Sequence, residues 1–136
     1  MRKKPLPVWL TIIIVIEILP MFMGPLLALL NPAAMPGFNT LPDPSGMAWL
    51  YAARNLAVGI ALVVAFALKN RSMLFILIMV RLITDLIDLP NMLYGGAWSN
   101  PWLVIAIFVL LYYLPAIYAL RYLWKEINQE QLTSKG

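Results

Sequence analysis

From Val8 to Leu30 the chain reads VWLTIIIVIEILPMFMGPLLALL, with Glu17 its one ionisable residue. At about 1.5 Å per residue, a hydrocarbon core of roughly 30 Å is crossed by about 20 such residues. Three further apolar runs follow within 136 residues, too many for a chain of this size to hide from water in a core of its own. In lipid, backbone polar groups must be satisfied inside each segment, and short runs do so as helices. The pattern therefore predicts an all-α membrane protein, a single four-transmembrane-helix bundle over 1–136, with helices at about 7–30, 47–68, 72–89 or on to 94, and 102–124.

The connections fit that reading. Residues 31–46 hold Pro32, Pro36, Gly37, Pro42, Pro44 and Gly46, which break regular structure and predict an extracytoplasmic loop. Asp43 or Ser45 can cap the second helix. Lys69-Asn70-Arg71 is a turn short enough to make helices two and three antiparallel neighbours, and Gly95-Gly96 ends the third. Ser99-Asn100-Pro101 supplies a cap followed by proline at the first helical position. Pro20, Gly24 and Pro25 predict a bend in the first helix, Pro115 lies inside the fourth and frees the Leu111 carbonyl, and 125–136 reads as a polar cytoplasmic tail.

Charge sets the orientation. Of ten Lys and Arg, Arg2, Lys3, Lys4, Lys69, Arg71, Arg121, Lys125 and Lys135 all fall at the N-terminus, the second connection or the C-terminus. The positive-inside rule then places both termini in the cytoplasm. Arg2-Lys3-Lys4 before an apolar run also resembles a signal peptide, but the run is long for one and carries Glu17, so it is read as retained. The net charge of +4 and pI of 9.6 do not indicate nucleic acid, because the basic residues flank the apolar runs and form no patch. With no Cys and no His, disulfides, thiol nucleophiles, Cys/His zinc sites, His-ligated haem and imidazole catalysis are excluded, and neither cofactor nor metal is expected.

The remaining basic residues, Arg54 and Arg81, lie inside apolar runs, as do Glu17, Asp85 and Asp88. Each charge at the bilayer centre costs at least about 2.5–3.5 kcal/mol, so they should compensate one another. At 100° per residue Arg81, Asp85 and Asp88 form one stripe with Thr84 at its margin, and that stripe must face the interior. Counted from the cytoplasmic ends, Glu17 at roughly 15 Å matches Arg81 at roughly 13 Å, and Arg54 at roughly 22 Å falls between Asp85 and Asp88. The expected pairs are Glu17 with Arg81, and Arg54 with Asp85 or Asp88, with Tyr51 and Asn55 adding hydrogen-bonding groups. Three acids against two bases leave a formal −1, which a protonated carboxyl, a cation or a ligand's basic group would complete. Such a cluster is either a packing device or a binding site under the proline-rich loop; Glu17, Tyr51, Arg54, Asn55, Arg81, Asp85 and Asp88 are the candidate ligand-binding residues.

Trp9, Trp49, Trp98, Trp102 and Trp124 fall near run boundaries, as interfacial anchors do. Tyr112, Tyr113, Tyr118 and Tyr122, with Met21 and Met23, are core residues or the lining of an apolar cavity. Gly59 with Ala53, Ala57 and Ala61 offers a small-residue face for a homodimer.

The stretch AARNLAVGIALVVAFALKNRSMLFILIMVRLITDLIDL, from Ala52 to Leu89, resembles the second and third helices of the DoxX-like superfamily of small four-helix bacterial membrane proteins. The likeness lies in Arg54-Asn55 opening a Gly- and Ala-rich helix, a short basic turn, and Arg81-x-x-x-Asp85-x-x-Asp88. It implies a multi-pass protein of the bacterial cytoplasmic membrane; some members of that superfamily look like membrane subunits of quinone-linked or oxidative-stress systems. The layout is more distantly similar to sterol-isomerase and sigma-2-receptor type bundles, an analogy that would make Glu17, Asp85 and Asp88 the candidate acids. The expected function is binding of a small lipophilic ligand, or assistance to a membrane partner complex. The alternatives are acid/base chemistry on a lipid-like substrate, and proton- or cation-coupled transport. The expected partners are the lipid bilayer, the small lipophilic ligand, and a second copy or another membrane protein, with no nucleic acid.

Overall fold

The computed structural model describes residues 4–35, 38, 42–94 and 99–136. Helix α1 is Val8–Leu30, followed by a 3-10 turn over Pro32–Ala34; α2 is Pro44–Ala67 and α3 is Arg71–Tyr94. The last helical rod comprises α4, Pro101–Phe108, a π-turn over Val109–Tyr113, and α5, Leu114–Lys135. No strand occurs among the described residues. Gly95, Gly96 and Trp98 lie outside the described residues, as does part of the expected 31–46 loop.

Sequence chemistry sets the ends of these helices. Asp43 caps α2 by accepting from the Gly46 amide at 3.2 Å, and Pro44 takes the first helical position, so the helix starts three residues before the expected 47. Asn100 caps α4 through the Leu103 amide at 3.3 Å, again ahead of a proline. Between α2 and α3, Lys69 adopts φ 50°, and the Asn70 amide reaches back to the Ala65 carbonyl at 3.0 Å. A left-handed residue closes the helix here, as glycine commonly does, and the Asn70 side chain then caps α3 at the Met73 amide.

Two expectations about the fourth helix need correction. It is not one regular α-helix: Pro115 has no amide to donate, and in the turn before it the Leu114 amide bonds to the Val109 carbonyl five residues back. Nor does it end at 124. Residues 125–135, expected as a tail, continue α5, because Lys125, Glu126, Gln129, Glu130 and Gln131 are good helix formers and two of the acids find a cation on α3.

Each helix buries a narrow stripe. On α1 it comprises Leu10, Ile14, Glu17, Met21, Pro25 and Ala28; on α2, Ala48, Ala52, Asn55, Gly59, Leu62 and Ala65. These three- and four-residue steps put one face of each helix against its neighbour. The α2 stripe is made largely of small residues, which lets α1 approach closely: a Cβ added at Gly59 would stand 2.9 Å from Met21 Cβ and 3.2 Å from the Phe22 ring. Gly59 thus serves packing within the chain, not the outward face expected for a dimer. Leu10, Ile14, Leu62, Ala65, Leu74, Ile78, Ala116, Ala119 and Leu123 form the apolar core, all in the half of the bundle nearest the two termini.

Outside the stripes the helices present large apolar side chains, including Val8, Ile12, Leu19, Leu26, Leu50, Ile60, Ile87 and Leu110. Val8–Leu30, Pro44–Ala67 and Pro101–Lys135 are each long and apolar enough to cross a membrane. Their exposed faces suit contact with a lipid bilayer far better than contact with water. Helix α3 has the same length as α2 but carries Arg71, Arg81, Asp85 and Asp88.

Candidate functional site

The apolar core gives way to charge within one turn: Glu17 follows Ile14 on α1, and Arg81 follows Ile78 on α3. Arg81, on the buried stripe of α3, is 7% exposed, and its Nη1 donates to Asp85 one turn on, itself 6% exposed. Its Nε lies 4.0 Å from Glu17 Oε2 on α1. Glu17 is 1% exposed, and its Oε1 has no hydrogen-bond partner among the described residues. The Asp85 backbone carbonyl accepts the Tyr113 hydroxyl at 2.9 Å, which brings in the π-turn. One guanidinium thus serves two buried carboxylates, an arrangement in which loss of the cation is far more damaging than loss of a surface charge.

The second pair is more open. Arg54 Nη2 meets Asp88 Oδ2 at 2.5 Å, the Arg54 side chain being 46% exposed and that of Asp88 about half as much. The Tyr51 ring lies under this guanidinium, with Cζ 5.9 Å from its centroid. Asn55, buried, donates from Nδ2 to the Tyr51 carbonyl one turn back at 2.8 Å. Thr84, expected at the stripe's margin, bonds instead to the Val80 carbonyl of its own helix.

Between these pairs lies a cavity of about 90 Å³. Tyr51, Asn55, Arg81, Asp85, Asp88 and Tyr112 form its polar wall, while Pro20, Leu89 and Phe108 form its apolar wall. Five of the seven candidates therefore face one space. Of the other two, Glu17 lies behind Arg81, and Arg54 reaches Asp88 from outside the lining. Depth counting anticipated Glu17 with Arg81 and Arg54 with Asp88; Asp85 turns to Arg81, four residues away on the same helix. Phe108 is not among the residues singled out from the sequence, and Tyr112 is expected only as a core residue or the lining of an apolar cavity, not as part of a polar wall. Their one shared sequence signal is an aromatic pair four residues apart before Pro115, and the rings lie tilted at 43° with centroids 5.4 Å apart.

A further ionic group, which sequence reading took only as a topology charge, closes the end near the termini. Arg71 is buried at the start of α3, pairs with Glu130, lies 3.8 Å from Glu126, and donates from Nη2 to the Lys4 carbonyl at 3.4 Å. Trp9 packs on Tyr118 and Tyr122, with centroids 5.0 and 4.9 Å apart, and Trp124 on Phe75 at 5.5 Å. Fold and site define an all-helical chain, three of whose helices are long and apolar enough to span a membrane, around a buried ionic cluster. No family model, curated protein or solved structure matches the chain.

Proposed function

We propose that this is a four-pass protein of the bacterial cytoplasmic membrane, related to the DoxX-like superfamily, with both termini in the cytoplasm, and that its polar cavity takes the head of a small lipophilic molecule. The observation that carries the reading is the two-sided lining: Arg81, Asp85, Asp88, Tyr51 and Tyr112 on one wall, Pro20, Leu89 and Phe108 on the other. Such a mixed wall suits an amphipathic guest. The volume limits what enters. Whole drug-sized ligands occupy pockets of about 300–1,000 Å³, so a cavity of about 90 Å³ holds a polar head while the apolar remainder stays among the helices. Charge compensation across α1, α2 and α3 is what allows α3 to count as the fourth span.

A second reading, acid/base chemistry on a lipid-like substrate, draws on the two carboxylates, Asp85 and Asp88, that share the cavity wall. The first experiment is mass spectrometry of small molecules retained by the full chain in mild detergent, compared with Asp88→Asn and Tyr112→Phe variants of unchanged helicity. A lipophilic compound enriched with the wild type and depleted in both variants supports the binding reading. The same bulk lipids on all three proteins reject it and leave the cluster a packing device. A compound returned chemically altered by the wild type alone would favour the catalytic reading.

A further inference from the structure

A second depression opens outward along the last helical rod, away from the polar cavity. Its volume is about 530 Å³, and Ile13, Leu110, Leu114 and Ile117 give it an apolar floor. Pro115, next to the π-turn, also lines it. At one end are Tyr118 and Arg121. Arg121 is exposed and has no acid partner among the described residues, and Lys125, one turn further on, is exposed as well.

The level of that end is marked independently. Tyr118 and Tyr122 pack against Trp9 at the start of α1, and aromatic side chains grouped with basic ones are typical of the membrane–water boundary. From Arg121 back to Leu110 the helix rises about 16 Å, one leaflet's worth of hydrocarbon. The groove thus runs from two unneutralised cations at the boundary into the apolar zone.

We infer that this groove binds one anionic phospholipid, with its phosphate held by Arg121 and Lys125 and one acyl chain lying along Leu110, Leu114 and Ile117. Arginine recognises phosphate oxygens with directed, charge-assisted bonds, and an apolar floor continuous with that contact fits a chain covalently tied to the phosphate. A second copy of this chain is the poorer occupant, because it would bring a net charge of +4 towards the same cations.

The test is native mass spectrometry of the full chain released from detergent containing equal phosphatidylglycerol and phosphatidylcholine with identical acyl chains. The wild type should carry phosphatidylglycerol in preference. Arg121→Gln should lower that preference about fivefold, Arg121→Lys should keep most of it, and Ile117→Trp, which fills the groove, should reduce both adducts. Because Arg121 and Ile117 are exposed, all three variants should melt with the wild type. Equal retention of the two lipids by the wild type overturns the proposal, as does a preference unchanged in Arg121→Gln. A lipid-free dimer that Ile117→Trp dissociates overturns it in favour of a second copy.

Discussion

The hydroxyl of Tyr113 donates to the backbone carbonyl of Asp85 across 2.9 Å, tying the π-turn of the last rod to the middle of α3. It does so beside an acid already engaged by Arg81, so one residue of α3 is held through both its side chain and its backbone. Tyr113→Phe removes the donor and keeps the ring. The expected loss is about 0.5–1.5 kcal/mol, read as a lower unfolding midpoint in detergent. Tyr113→Ala also empties a buried site and should cost about 3–5 kcal/mol. Equal effects of the two variants would mean that the ring contributes little beside the hydrogen bond.

Arg81 and Arg54 should respond very differently to the same change. Arg81→Gln leaves Glu17 and Asp85 buried without their cation, and about 3–5 kcal/mol of stability should be lost. Arg54→Gln breaks a half-exposed pair and should cost no more than about 1 kcal/mol. Adding Asp85→Asn to Arg81→Gln should recover part of the loss. Unfolding midpoints of the four proteins decide the matter, and similar losses for the two arginines would contradict the burial difference.

Glu126 and Glu130 hold the end of α5 against Arg71. In Glu126→Gln, Glu130→Gln that hold is lost while the apolar core at Ala116, Ala119 and Leu123 is untouched. Limited proteolysis should cut after Lys125 several times faster, with little change in the unfolding midpoint. An unchanged cleavage rate would show that helix propensity alone keeps residues 125–135 ordered.

Gly59→Val places a branched side chain where even a Cβ meets Met21 at 2.9 Å. The neighbour is a Cβ on a helix and not the free end of a flexible chain, so α1 and α2 must separate. An overpacking loss of about 1–3 kcal/mol is expected, with the oligomeric state unchanged. A change in oligomeric state with no loss of stability would return Gly59 to an outward face.

The helices were legible because a long apolar run has few alternatives in a chain this short, and because Asp43-Pro44 and Asn100-Pro101 carry the chemistry of a helix start. Charge pairing was legible in part. Depth along a helix follows from counting residues, which gave Glu17 with Arg81 and Arg54 with Asp88. It does not register that Arg81 and Asp85, four apart on one helix, can pair without help from a neighbour, and there proximity won. The Arg71 group escaped notice because Glu126 and Glu130 lie some 55 to 59 positions away in a segment that composition alone reads as solvated. Tyr112 and Phe108 reach the cavity from a rod whose rotation a uniform 100° per residue cannot give.

That rotation has a further consequence. The π-turn holds one residue more than an α-turn, so it sets the azimuth of everything from Leu114 to Lys135 relative to Pro101–Phe108. Were it to relax to ordinary α-helical bonding, α5 would swing by about 100°. Ala116, Ala119 and Leu123 would then leave the core for the lipid side. Removing one outward residue, Leu110 or Leu111, would straighten the rod and keep both faces where they are. At this place in the chain a deletion is a gentler change than many substitutions, and the reading frame of the helix is counted in whole residues.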